Sequence, residues 1–416
     1  LFLDYNSVFL SKIYLEMAIN IQNILSDNAK NMRRSAIRDL LSVANRPEVI
    51  SFAGGFPDPS TFPVEDLKVI MQEVLEIEST SALQYGPTEG NEKLRKILAE
   101  RYRQQGLDIT KDNILITTSS QQAIDLTSRI FINPGDTIVC GLPSYLGALQ
   151  AFWSYQAQPI GVPKDEELEV VIKTLISSGR RPKLIYTIPD FQNPSGVTMN
   201  LEQRKMVLEI AKKYDLLIIE DSPYREVRFE GEPQPLMYSM DNERVMLFGT
   251  LSKTMLPGFR IGWIIAPADI IDRLVVAKQS ADLCTPVFDQ AVVVRYFEKG
   301  LFEKNLSKTI AQYKEKRDHM LKCFDKYMPK GVTWTRPEGG LFLFVALPEG
   351  YDTRELFDVA IKENVAFVIG EAFHCDGSGK NTMRINFSFM DAEKTEEGVK
   401  RLAKAIERMF QSKPAV

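Results

Sequence analysis

From about residue 110, short runs of apolar and β-branched residues alternate with longer stretches whose apolar residues recur at helical spacing. The runs are Ile114–Thr118, Thr137–Leu142, Leu184–Ile188, Leu216–Glu220, Val245–Gly249 and Trp263–Ala266. Between them, Gln121–Phe131 and Leu201–Tyr214 read as amphipathic helices. Strands rich in Ile, Leu and Val with helices between them predict an α/β fold, a mainly parallel sheet covered on both faces. Beyond residue 300 the pattern changes. Long charged helices, Glu303–Tyr327 and Ala392–Met409, flank short strands near Leu341–Leu347 and Met383–Phe389, which predicts a second, smaller α+β domain. The Pro/Gly-rich stretch from Ala53 to Pro59 reads as a loop, and residues 1–30 as an amphipathic arm that could clasp a partner subunit.

Ligands of such sheets bind at the carboxyl ends of the strands, so the polar residues that follow each run carry the chemical information. After Ile114–Thr118 comes Ser119-Ser120-Gln121-Gln122, which opens a helix. That is either a plain N-cap or a site where free N–H groups and the helix dipole hold an anion. After Leu184–Ile188, the loop from Pro189 to Gly196 contains Asn193-Pro194, a turn able to aim the Asn193 amide into a cleft. Asp221 follows the next run, with Tyr224 three residues on. A carboxylate at the end of a buried strand is costly unless it caps a helix or meets a cation such as a protonated heterocycle. The run Val245–Gly249 leads into Thr250-Leu251-Ser252-Lys253, with Arg260 seven positions beyond the lysine. Lysine is a good nucleophile towards carbonyls only when desolvation or a nearby positive charge keeps part of it neutral.

Composition narrows the field. Hydrophobic residues make up 44% and charged residues 25% of the 416, with a net charge of −4, an ordinary globular balance. There is no long basic run to suggest a nucleic-acid surface and no apolar stretch near the ~20 residues of a membrane span. Cys140, Cys284, Cys323 and Cys375 are widely spaced, which argues against a zinc site or disulfide framework and fits a reducing cytoplasm. With two histidines, His319 and His374, neither a Ser-His-Asp triad nor a multi-histidine metal site is expected.

An anion cradle, an aimed asparagine, a buried aspartate, a tyrosine and a reactive lysine together make a kit for holding pyridoxal 5′-phosphate. The same motifs, with Ser51–Pro57, Ala82–Gly86, Pro143-Ser144-Tyr145, Pro337–Gly340 and Thr382-Met383-Arg384, show that the chain resembles the fold-type I, class I/II aminotransferases. Within them it is most similar to the branch of archaeal aromatic, 2-aminoadipate and kynurenine aminotransferase II-like enzymes. The resemblance runs from about Met32 to the C-terminus. It implies a mainly parallel seven-stranded sheet in a large domain over residues 51–305. A small domain would span 306–416, joined by the N-terminal arm and helix of residues 1–50.

It also implies roles for single residues. Lys253 resembles the Schiff-base lysine and Asp221 the partner of the pyridinium nitrogen. Asn193 and Tyr224 would bond the ring oxygen, Tyr145 would stack on the ring, and Ser120, Gln121, Thr250, Ser252 and Arg260 would hold the phosphate. Tyr85 would reach the phosphate of the neighbouring subunit, which implies a homodimer with shared sites. Arg384 would fork the substrate carboxylate near Asn193 and Gly55, and Arg38 aligns with a mobile arginine that meets the substrate side chain in some relatives, the alternative being a solvated arginine on an amphipathic helix. One departure is Ser119, at a position often occupied by glycine. The activity so implied is transfer of an amino group from an aromatic, 2-aminoadipate-like or other large amino acid to 2-oxoglutarate, in ping-pong fashion. A β-lyase, a decarboxylase or a cofactor-binding regulator are the alternatives.

Overall fold

The structure is a computed structural model that describes residues 19–32 and 46–412. After a two-residue strand β1 (Ile50–Ser51), seven strands build the main sheet. They are β2 (Ile114–Thr118), β3 (Thr137–Gly141), β4 (Gln158–Val162), β5 (Pro182–Thr187), β6 (Leu217–Asp221), β7 (Val245–Thr250) and β8 (Ile261–Ile265). Their spatial order is β2-β8-β7-β6-β5-β3-β4, and every neighbouring pair is parallel except those made by β8. All six apolar runs form strands of this sheet. The seventh, β4, escapes the pattern because Pro159 and Gly161 interrupt it. Pro159 is tolerated there because β4 is an edge strand, where a missing N–H need not break a ladder.

The sheet is apolar on both faces because successive side chains point to opposite sides. Ile114 and Ile116 enter one core and Leu115 the other; Ile218 and Ile219 divide in the same way. The first core is closed by helices Val64–Ile77, Glu92–Arg103, Leu168–Ser177, Leu201–Tyr214 and Val287–Glu298. The second is closed by Ser119–Phe131, Leu146–Ser154 and Ala268–Gln279. Helix Leu201–Tyr214 has conventional ends: Asn200 and Gln203 form a capping box, and Asp215 leaves in the left-handed conformation. Helix Ser119–Phe131 differs, opening directly from β2 with no side-chain cap on its first N–H groups.

A further core lies over a four-stranded antiparallel sheet, in the order β12-β13-β10-β9. Its strands are β9 (Thr333–Trp334), β10 (Phe342–Ala346), β12 (Val368–Ile369) and β13 (Thr382–Asn386); the intervening β11 (Val365–Ala366) pairs in parallel with β1. Through β1, Val49 and Phe52 join this core. Helix Leu301–Tyr327 is continuous between the two regions: Phe302 packs under the main sheet, whereas Met320 and Phe324 pack in the C-terminal core. Residues 305 and 306 therefore fall inside one unbroken helix. Helix Ala392–Ser412 covers the same core. Of the N-terminal arm, the described part forms two short helical turns, Ile21–Ile24 and Asp27–Asn31, and the second rests on helix Leu146–Ser154. Arg38 lies outside the described residues. Among the described residues no helix is long and apolar enough to cross a membrane.

One ionic node fixes the loop that follows β5. Asp190, fully buried, accepts from Arg204 at 2.9 Å, Arg225 at 3.2 Å and Arg228 at 3.3 Å. Arg204 is also fully buried and donates to the carbonyls of Met199, Pro235 and Pro189. Removing one partner of a buried pair leaves the other charge uncompensated, which is costly. Asp190→Ala should therefore lower the free energy of unfolding by about 3 kcal/mol or more, read from denaturant curves of variant and wild type.

Candidate active site

The carboxyl ends of β2, β5, β6 and β7 open into a cavity of 390 Å³ between the main sheet and the antiparallel sheet. Gly55, Ser120, Gln121, Tyr145, Asn193, Asp221, Tyr224, Thr250, Ser252, Lys253, Arg260 and Arg384 all line it. Residues separated by more than three hundred positions thus share one space. Tyr85 does not; it is 80% exposed on the surface of the single chain.

At one end the groups suit an anion. The first turn of helix Ser119–Phe131 presents uncapped N–H groups, and its dipole favours negative charge. Ser119 sits at φ 67°, a left-handed conformation that costs a side-chain-bearing residue some strain, and its Oγ lies 3.3 Å from Ser252 Oγ. The turn lies close on β8 because residue 262 is glycine: a Cβ there would come within 2.7 Å of the Ser119 backbone. Arg260, also left-handed at φ 55°, reaches back to Ser252 Oγ at 3.4 Å. The Thr250 hydroxyl is taken up internally, accepting from the Ser252 N–H at 3.1 Å with Ser252 Oγ and the Ile261 carbonyl each at 2.9 Å. The Gln121 side chain donates to the Gly147 carbonyl and accepts from the Tyr145 hydroxyl.

The middle of the cavity holds the titrating groups. Lys253 Nζ donates to the Gly55 carbonyl at 2.8 Å. Burial, then the positive charges of Arg384 and Arg260, push its pKa down to about 8. Asp221 ends β6 and is almost fully buried, which pushes its carboxyl up to about 7. Its Oδ2 accepts from the Tyr186 hydroxyl at 2.7 Å, whereas its Oδ1 is buried with no partner. Such an orphaned oxygen on a cavity wall is the mark of a position that a ligand completes.

At the other end Arg384 donates to Asn193 Oδ1 at 2.9 Å and to the Ala53 carbonyl at 2.8 Å, and its Nε has no partner. The guanidinium lies 4.2 Å from the Phe342 ring centroid and 5.1 Å from that of Phe373. Asn193 Nδ2 donates in turn to the Tyr224 hydroxyl at 3.3 Å. Sequence reasoning missed Tyr186, Phe342 and Phe373. Tyr186 reads as an ordinary β-strand aromatic, and the two phenylalanines reach the site only when the antiparallel sheet folds over the main one.

The site residues fit a pyridoxal phosphate: an anion cradle, a neutralisable amine and an unpartnered carboxylate oxygen surround one space. They also make the cofactor-free protein pay for Asp221. Its folded pKa of about 7 stands above the ordinary 3.8. Between those values the folded chain holds more protons than the unfolded one, so this group's contribution to stability falls as pH rises, and above pH 7 the whole cost is present. Cofactor-free Asp221→Asn should thus be more stable than wild type at pH 8, by a margin on the order of 4 kcal/mol. The margin should shrink towards zero below about pH 4, as measured by denaturant unfolding across that range.

Comparison with known proteins agrees with this geometry. The sequence model of aminotransferase class I and II matches residues 47–402. Aromatic-amino-acid aminotransferase 1 of Thermococcus litoralis is 48% identical over 396 residues, covering 93% of this chain and 95% of that protein. The 2-aminoadipate transaminase of Thermus thermophilus is 38% identical over 392 residues, covering 92% and 96%. The crystal structure of Pyrococcus horikoshii kynurenine aminotransferase in complex with PMP superposes with a TM-score of 0.91 at 45% identity, covering 94% of this chain and 98% of that one. The chain belongs to the class I and II aminotransferase family.

Proposed function

We propose that the chain binds pyridoxal 5′-phosphate through Lys253 and transfers an α-amino group to 2-oxoglutarate from an aromatic, 2-aminoadipate-like or other large amino acid, in two half-reactions. The observation that carries this is the pairing of a partly neutral Lys253 with the unpartnered Oδ1 of Asp221 on the walls of one cavity. The substrate range follows the names of the relatives, and aromatic walls from Tyr145, Phe342 and Phe373 suit it.

The bound cofactor supplies an electron sink for negative charge developing at the substrate Cα. In this reading the protein does the rest. Arg384, with its planar fork and unpartnered Nε, takes the substrate carboxylate beside Asn193 and Gly55. Lys253 Nζ would take the proton from the substrate Cα and hold it for return, and a pKa near 8 suits an amine that must both accept and give back a proton. Asp221 would pair with the ring nitrogen, Tyr224 and Asn193 would bond the ring oxygen, and Tyr145 would lie against the ring. Ser120, Gln121, Ser252 and Arg260 would hold the phosphate, with Thr250 bracing Ser252.

We further place the working unit as a homodimer in which Tyr85, exposed in the single chain, completes the partner's phosphate site. Residues 51–305 would form the large domain and 306–416 the small one, with the boundary inside helix Leu301–Tyr327. Four cysteines without disulfides support a cytoplasmic setting.

Purified protein carrying the cofactor should lose its visible absorbance on addition of an amino donor and regain it with 2-oxoglutarate. Lys253→Ala should lower kcat by roughly 10³-fold or more. A variant that retained full turnover would overturn the mechanism, and release of pyruvate with ammonia, or of CO₂, would assign the protein to lyase or decarboxylase chemistry.

A further inference from the structure

We propose that Tyr186 is a positioning residue for Asp221: its hydroxyl fixes the rotation of the carboxylate and stabilises its negative charge, so that one oxygen is left facing the cavity. The inference rests on the reading that Asp221 pairs with the cofactor's ring nitrogen.

The placement follows from strand register. Tyr186 on β5 lies opposite Ile219 on β6, and Asp221 is two residues further on, on the same face. A long side chain reaches its diagonal neighbour across a sheet, and here the phenol donates to Oδ2 at 2.7 Å. Among the described residues no other hydrogen bond to Asp221's carboxylate is found, and Oδ1 stays unpartnered. The Tyr186 ring cannot turn aside. It is buried and meets Phe152 edge-on, with ring centroids 5.6 Å apart at 78°.

The division of the two oxygens has a chemical consequence. A buried carboxylate with a single donor depends on that donor for its charge, because burial alone favours the protonated form. For Asp221 the Tyr186 hydrogen bond is the influence that opposes burial. The phenol itself stays protonated, since burial and the neighbouring carboxylate push its own pKa far upward. The other ionisable groups around this point are the phenols of Tyr145 and Tyr224, both raised chiefly by burial, the Lys253 amine, and the guanidiniums of Arg384 and Arg260 that act on them. Without the Tyr186 hydroxyl, burial would act on the Asp221 carboxyl unopposed and favour its protonated form further. A neutral carboxyl cannot balance a positive ring nitrogen, so the ring would lose its proton and with it much of its electron demand.

The test compares wild type, Tyr186→Phe, Asp221→Asn and the double variant, each loaded with pyridoxal phosphate labelled with ¹⁵N in the ring. Three quantities are read: the ring-nitrogen shift against pH, the dissociation constant of pyridoxal phosphate, and kcat with KM for an amino donor. Tyr186→Phe keeps the ring and its Phe152 contact. It should lose the protonated-nitrogen signal at a pH where wild type retains it, bind the cofactor about 10-fold more weakly and lower kcat by about 10-fold or more, with donor KM changed less than about 2-fold. In the Asp221→Asn background the same substitution should add less than about 2-fold to either loss. That non-additivity distinguishes a role exercised through Asp221 from a general loss of packing. A protonated ring nitrogen and unchanged affinity in Tyr186→Phe would overturn the proposal, as would full additivity in the double variant. If Asp221→Asn itself left the nitrogen signal unaltered, the pairing of Asp221 with the ring would be what fails. Should Tyr186→Phe not fold, Phe152→Leu, which frees the Tyr186 ring while keeping its hydroxyl, should shift the nitrogen titration in the same direction; no shift would count against the proposal.

Discussion

The structure is organised around the cost of keeping a carboxylate, Asp221, at the buried end of a central strand. Burial pushes its pKa to about 7, and the protein offers it one hydrogen bond where a buried carboxylate has room for several. On the wall of the same cavity the chain places Lys253, whose amine is pushed down to about 8 by burial and two guanidiniums. Both groups are held near the point where either protonation state is accessible. That is poor design for stability and good design for moving protons.

Parallel topology makes the arrangement possible. The ends of β5, β6 and β7 lie side by side and that of β2 opens at the same edge across β8, so Ser119, Asn193, Asp221 and Lys253 converge although their segments are far apart in sequence. Close approach then depends on small details. Gly262 lets the strained Ser119 turn settle on β8, and the uncapped start of helix Ser119–Phe131 leaves its N–H groups for an anion. The Asp190 node, where three arginines share one carboxylate, holds the loop that carries Asn193. Over the top, Arg384 on β13 links the antiparallel sheet to that loop through Asn193 Oδ1. The cavity is therefore shut on several sides by elements that meet only in the folded chain.

Much of this could be read from the sequence, for identifiable reasons. Doubly buried strands leave uninterrupted apolar runs, so β2, β3, β5, β6, β7 and β8 were visible, and the polar residues that end them could be picked out by position. Family resemblance supplied Arg384 and Gly55, which no periodicity singles out. Other features were hidden. Edge strand β4 carries Pro159 and Gly161, which break the run. The antiparallel direction of β8 depends on how the connection over residues 251–260 returns from β7, and the apolar pattern is the same in either direction. Tyr186 looks like any strand tyrosine until register sets it beside Asp221. Phe342 and Phe373 are core residues by composition and become cavity walls only through the packing of the two sheets.

The central claim is that Lys253 is the point of attachment for pyridoxal phosphate. Borohydride reduction of the loaded protein, followed by proteolysis and mass spectrometry of the lysine-containing peptides, tests it most directly. The account predicts a phosphopyridoxyl group on the peptide containing Lys253 and on no other. The same group on a different lysine, or its absence from all of them after loading, would contradict it.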